Sequence, residues 1–138
     1  MKIEFTVPGT PVAKSRPRFA SRGRFMQAYT PEKTINYETL VKLSYPGGKL
    51  TGAIKATIGL YFPIPKSTSK KKAEGMRKLK IFHTKKPDAD NCIKSILDAL
   101  NNIAFDDDGQ VAYIKAWKLY SDNPRAEIIL EELEETND

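Results

Sequence analysis

The stretch KPDADNCIKSILDALNNIAFDDDGQVAYIKAWKLY, residues 86–120, decides how this chain folds. Between residues 90 and 101, Cys92, Ile93, Ile96, Leu97, Ala99 and Leu100 gather on one side when successive residues turn by ~100°. The spacing predicts an amphipathic helix over 90–101 with that stripe in the core. Asp88 and Asp90, two apart, share a side only in extended chain, so they mark a strand end or loop, with Asp90 opening the helix as a cap. Asp90, Lys94 and Asp98 then follow at i, i+4 and i+8 along the polar face. A short Ile103-Ala104-Phe105 link leads to Asp106-Asp107-Asp108, and VAYIKAWKLY, residues 111–120, alternates as a strand.

Working outward, the turn Ser121-Asp122-Asn123-Pro124 joins that strand to another over 125–133, and the acidic tail 131–138 is expected to fray. Upstream, residues 53–63 place Ile54, Ala56, Ile58, Leu60 and Phe62 on one face of a strand ended by Pro63 and Pro65. Residues 66–86 hold nine Lys or Arg against the single acid Glu74, and a short, very basic surface helix is expected from Ser69. Thr30 and Pro31 read as the cap and first position of a helix running to Pro46-Gly47-Gly48. Ile3, Phe5 and Val7 alternate in a first strand over 2–8, followed by a basic arm or hairpin carrying Lys14, Arg16, Arg18, Arg22 and Arg24 without an acid. The order of elements predicts an α/β (α+β) fold, a mixed sheet packed against helices, with residues 1–138 as one domain.

Composition narrows the function classes. Forty per cent hydrophobic and 29% charged residues exclude a disordered chain, a collagen-like repeat and a coiled coil. No apolar run approaches the ~18 residues of a membrane span, and MKIEFTVPGT lacks a signal-peptide core, so a cytoplasmic protein without a membrane partner is expected. The lone Cys92 falls on the apolar helix side as core filler, and Trp117 on its strand is most simply core. There are 23 Lys plus Arg and 17 Asp plus Glu, but Glu131, Glu132, Glu134, Glu135 and Asp138 crowd the end. Residues 1–130 therefore carry 23 cations against 12 acids, +11, which favours nucleic acid as partner.

Against that background, residues 88–108 hold six aspartates and one cation, Lys94. Each piece alone reads as a helix cap, a solvated pair or a polar turn; together they read better as hard oxygen ligands for Mg²⁺, or Mn²⁺ in its place. A strand, helix and returning strand could bring Asp88, Asp90 and one later aspartate into one pocket. An EF-hand does not fit, because a loop from Asp106 has Gln110 and Val111 at its fifth and sixth positions. Such a metal lowers the pKa of water and neutralises charge on a phosphodiester in displacement, and Lys94 could stabilise the same transition state. No GxxxxGKS or GxGxxG loop is present, so no nucleotide cofactor is expected, and His83 lacks a CxxC or HExxH companion and reads as a surface or phosphate-contacting residue.

Residues 86–111, through Asp88, Asp90, Asn91, Lys94, Asp98, Leu100-Asn101, Asp107-Asp108 and Gln110-Val111, resemble the RusA-type Holliday junction resolvases, endodeoxyribonucleases often carried by prophages. VPGTPVAKSRPRF, residues 7–19, is similar to the opening of one branch of that family. The resemblance implies Asp88, Asp90 and Asp108 as Mg²⁺ ligands, Asp107 as a fourth candidate and Lys94 as catalytic lysine. It also implies a homodimer that binds four-way DNA junctions and makes paired symmetric nicks. Lys14, Arg16, Arg18, Arg22, Arg24, Lys85 and Lys86 would then contact DNA. Two alternatives use the same residues differently: a non-catalytic DNA-binding or architectural module, and a metal nuclease acting on flaps or RNA.

Overall fold

The computed structural model describes the backbone over residues 1–15, 18–22, 25–29 and 31–135, and side chains over 1–15 and 31–135. In chain order the elements are β1 (Lys2–Pro8), β2 (Arg18–Arg22), β3 (Phe25–Tyr29), α1 (Glu32–Ser44), β4 (Ile54–Pro63), α2 (Lys70–Arg77), α3 (Ala89–Leu100), β5 (Val111–Ser121) and β6 (Arg125–Glu132). Four strands form a sheet in the order β1-β6-β4-β5, and β2 pairs with β3 as a separate hairpin. β4 and β5 run parallel while the other pairs are antiparallel, which gives the expected mixed sheet. A parallel pair needs a crossover, and the segment holding α2 and α3 supplies it.

β4 lies between β6 and β5, and its Ile54, Ala56, Ile58, Leu60 and Phe62 are all buried on the face that receives the helices. α3 lays Cys92, Ile96, Leu97, Ala99 and Leu100 into that core, and Tyr37 and Val41 of α1 close it. Fully burying Ile96 or Leu100 favours folding by roughly 1.5–3 kcal/mol each. Gly59 lets Trp117 lie flat on β4, since a Cβ there would meet the indole at 2.9 Å.

Several local details differ from the sequence expectation. Asp88, in extended backbone, is the residue before α3, and Asp90 sits inside the first turn instead of capping it. Periodicity fixes the stripe but not the terminal residue. Pro31 flanks α1, whose first helical residue is Glu32. Glu131 and Glu132 do not fray: Glu131 lies in register between Lys2 and Lys55, and the Glu132 amide donates to the Met1 carbonyl at 3.1 Å. Backbone pairing on both sides, and the Met1 ammonium 3.6 Å from the Glu132 carboxylate, hold the acidic end in the sheet. Ser69 does cap the basic helix, its hydroxyl accepting from the Lys72 amide at 3.3 Å.

Candidate active site

Asp88 and Asp90 are both exposed at the start of α3, two residues apart across the entry into its first turn. The helix dipole favours carboxylates at this end. Neither side chain has a hydrogen-bond or ion-pair partner among the described residues. Asp88 borders an open depression of about 390 Å³ lined also by Ala13, Lys86, Pro87 and Asn91. Lys94, one turn further, is 62% exposed and leans toward the Asp98 carboxylate at 3.8 Å. Lys85 and Lys86 are exposed on the approach to Asp88.

The extended segment before the hairpin is strapped to this end of α3. The buried Ser95 hydroxyl donates to the Val12 carbonyl at 2.6 Å, and the Lys14 amide donates to the Asn91 carbonyl at 2.8 Å. The chain that continues into β2 therefore departs beside Asn91. Arg16 and Arg24 lie outside the described residues; Arg18 and Arg22 are on the β2 backbone, and their side chains lie outside the description too. Lys14, expected as a DNA contact, is ion-paired within the chain. Its ammonium is held by Glu38 and, at 3.4 Å, by Asp98, both half-buried. Burial alone would lower its pKa, but the Glu38 and Asp98 carboxylates outweigh that and raise it above 10.5.

The late acidic run is differently built. The Asp107 carboxylate accepts from the Gly109 amide at 3.0 Å as the cap of a 3-10 turn, Asp108–Gln110. The Gln110 side-chain oxygen accepts from the amides of Asp106 and Asp107. Asp106 pairs with Lys49 at 2.6 Å. The Asp108 amide donates to Asn101 Oδ1 at 3.0 Å, which fixes its backbone to the far end of α3. Of the three carboxylates, that of Asp108 alone has no partner among the described residues.

These two groups do not share a pocket within one chain. α3 separates them, and its twelve residues span about 18 Å at 1.5 Å per residue. β5 runs back along it: Val111 follows the Asp108 turn, while the Lys118 ammonium, at the other end, donates to the Lys85 carbonyl at 2.7 Å, just before Asp88. The link 101–110 stays at the C-terminal end of α3 because Phe105 and Ala104 are buried there and the Leu50 amide donates to the Ala104 carbonyl at 2.7 Å. Hard carboxylate oxygens suit a divalent cation. Among the described residues, however, no three acids, histidines or cysteines gather as a metal set, so one chain offers Asp88 and Asp90 at one end and Asp108 at the other.

His83, expected at the surface, is half-buried. Its ring stacks on Phe62 at 4.1 Å between centroids and tilts against Tyr120, with Nδ1 buried and unpartnered. Burial first, then the nearby Lys118, push its pKa below 6.5. Burial likewise pushes the Cys92 thiol up to about 11, so it stays protonated in the core as expected of filler. Sequence reasoning did not assign roles to Ser95, Asn101 and Lys118. Ser95 left a trace as the polar residue inside an apolar stripe, and Lys118 as a lysine on the core-facing row with Tyr120.

The chain matches the family profile described as Endodeoxyribonuclease RusA over residues 8–131. It is also 39% identical over 137 residues to "Uncharacterized protein YqaN" of Bacillus subtilis (strain 168), a match covering 95% of this chain and 96% of that protein.

Proposed function

The chain belongs to the RusA endodeoxyribonuclease family, and from that premise we propose that it resolves four-way DNA junctions by paired, symmetric, Mg²⁺-dependent nicks as a homodimer. The family membership makes it a hydrolase of DNA phosphodiester bonds and a junction resolvase by class. The reading of the site is carried by one observation: Asp88 and Asp90 stand exposed and unpartnered with Lys94 one turn away, on a chain whose first 130 residues carry +11. Asp88 and Asp90 of one protomer with the Asp108 of its partner, since within one chain they lie at opposite ends of α3, would hold the ion, which would supply a water of lowered pKa and neutralise charge at the scissile phosphate. Lys94 reaches the same surface as a compact, mobile cation suited to the charge that builds on phosphate oxygens. Lys85, Lys86 and the arginines of the β2–β3 hairpin would hold the DNA backbone, acting in the cytoplasm on recombination intermediates. Among the described residues no helix is long and apolar enough to cross a membrane.

With Mg²⁺ the purified protein should cut a synthetic four-way junction in preference to linear duplex, flap or RNA substrates, and chelation should stop it. Asp90→Asn should bind the junction and leave it intact. Binding that needs no divalent ion, with no cleavage of any substrate, would support the architectural module instead; preference for a flap or RNA would move the substrate.

A further inference from the structure

We propose that Lys118 is a positioning residue for the cutting reaction: its ammonium latches the segment that leads into α3 onto β5 and so fixes where Asp88 stands. This rests on the nuclease reading for what Asp88 does there, but the latch stands on contacts of its own.

β5 is paired with β4 along its whole length, and Lys118 stands opposite Leu60 in that register, on the row of Ile114, Ala116 and Tyr120 that faces the helices. A lysine on a core-facing row must carry its ammonium to an acceptor or to water, because an unpaired buried charge is costly. Here the stem passes Phe62, with the ammonium 5.7 Å from the centre of that ring, and ends on the Lys85 carbonyl at 2.7 Å. Among the described residues no carboxylate forms an ion pair with it. The Lys85 carbonyl is therefore what holds it.

Lys118 grips the segment twice. Its own carbonyl accepts from the His83 amide at 3.0 Å, and its ammonium donates to a carbonyl two residues further on. Up to His83 the chain has other support, since Phe82 bridges Leu119 and the His83 ring stacks on Phe62 and tilts against Tyr120. Beyond it that support thins. Thr84, Lys85 and Lys86 are exposed, and among the described residues the bond from Lys118 is the single hydrogen bond to residues 84–87. The helix takes over at Asp88, whose carbonyl accepts from the Cys92 amide at 3.2 Å. Lys85 lies three residues before Asp88, and the ring of Pro87 between them locks one torsion. Fixing the Lys85 carbonyl thus leaves the Asp88 backbone little freedom.

A lysine does here what a neutral side chain would not. A hydrogen bond from an ammonium to a carbonyl is charge-assisted, about twice as strong as a neutral one. The charge also sits at the mouth of α3. The Cys92 thiol, whose pKa is raised chiefly by burial, is pulled down by Lys118 and pushed up by Asp88 and Asp90, so all three charges surround one turn of helix. A cation in that place offsets the repulsion between two carboxylates held two residues apart. Lys94 is a different kind of group: it is 62% exposed and open to a phosphate, whereas Lys118 is half-buried and already engaged. Lys118 acts through Asp88 and leaves the phosphate to Lys94.

Lys118→Met isolates the latch, because methionine keeps an unbranched stem and the backbone bond to His83 while removing the ammonium; Lys118→Gln, shorter by one bond and uncharged, serves if the first variant does not fold. In the metal-free protein, NMR order parameters at Lys85, Lys86 and Asp88 should drop from about 0.85 toward 0.6, while those of Ile96 to Leu100 stay put. With Mg²⁺ and saturating four-way junction, kcat should fall about a hundredfold, the scale of a small misplacement in an active site. The junction Kd without divalent ion should not move, and Lys118→Arg, which keeps a charged donor, should recover most of the loss. Order parameters that do not change, or that drop through α3 as well, overturn the latch. A Kd that weakens as far as kcat falls would make Lys118 a DNA contact and overturn its positioning role, as would undiminished cutting by a loosened segment. Wild type that cuts no substrate, with residues 85–88 loosened in Lys118→Met alone, would defeat the nuclease reading and leave the latch standing.

Discussion

The two ends of α3 carry the same chemical groups in opposite conditions. At the N-terminal end Asp88 and Asp90 are exposed and unengaged among the described residues, with a cation one turn on. At the C-terminal end Asp106 is paired with Lys49, Asp107 is tied into a cap by Gly109, and Gln110 bonds the amides of both. Only Asp108 escapes that web, and its backbone is pinned by Asn101. A run of like charges is thus sorted by its hydrogen bonds: two aspartates build the turn that aims the third.

That contrast is easiest to break at Asp107 and Asp108. Asp108→Asn should lower junction cutting about a thousandfold or more, the scale of losing one charge-stabilising group in an active site. Asp107→Asn should keep most of the cutting, because asparagine caps a turn as well as aspartate does. A loss in Asp107→Asn as deep as that in Asp108→Asn, read on the same substrate, would return Asp107 to the ligand set. A smaller effect is expected at Lys14, which links Glu38 to Asp98 beside Lys94. Lys14→Met should cost about 1 kcal/mol in denaturant unfolding, since it leaves two half-buried carboxylates short of a donor. The raised Lys14 pKa means this contribution is fully present below pH 10.5 and is lost as pH rises through the folded value. The gentlest test concerns His83. Its folded pKa lies below 6.5, so its contribution is present above pH 6.5 and is lost on acidification, when the unfolded chain takes up the proton more readily. His83→Phe should flatten the fall in stability between pH 7.5 and 5.5; an unaltered slope would exclude the ring as its source.

Much of the architecture was legible because it is local. The stripe from Cys92 to Leu100 and the alternation in β1, β4 and β5 are periodicities of neighbouring residues, and the structure places these elements within a residue or so of expectation. The Asp88–Asp90 pairing was legible for the same reason. Sheet order was not, because inserting β6 between β1 and β4 depends on partners more than a hundred residues away in one case and about seventy in the other. Nor was the distance from Asp90 to Asp108 legible. The helix length could be counted, but where the link returns is set by Phe105 burial and the Leu50 amide, both tertiary. Lys14 looked like a free cation for a related reason: Glu38 and Asp98, which claim it, lie far along the chain.

The position of β6 has a consequence for synthesis. β1 and β4 touch only through it, every residue from Lys2 to Pro8 having its partner there. A ribosome that has not yet released residues 125–132 exposes two apolar strands with nothing between them. A nascent chain halted before Arg125 would therefore leave β1 and β4 without their shared partner and open to proteolysis.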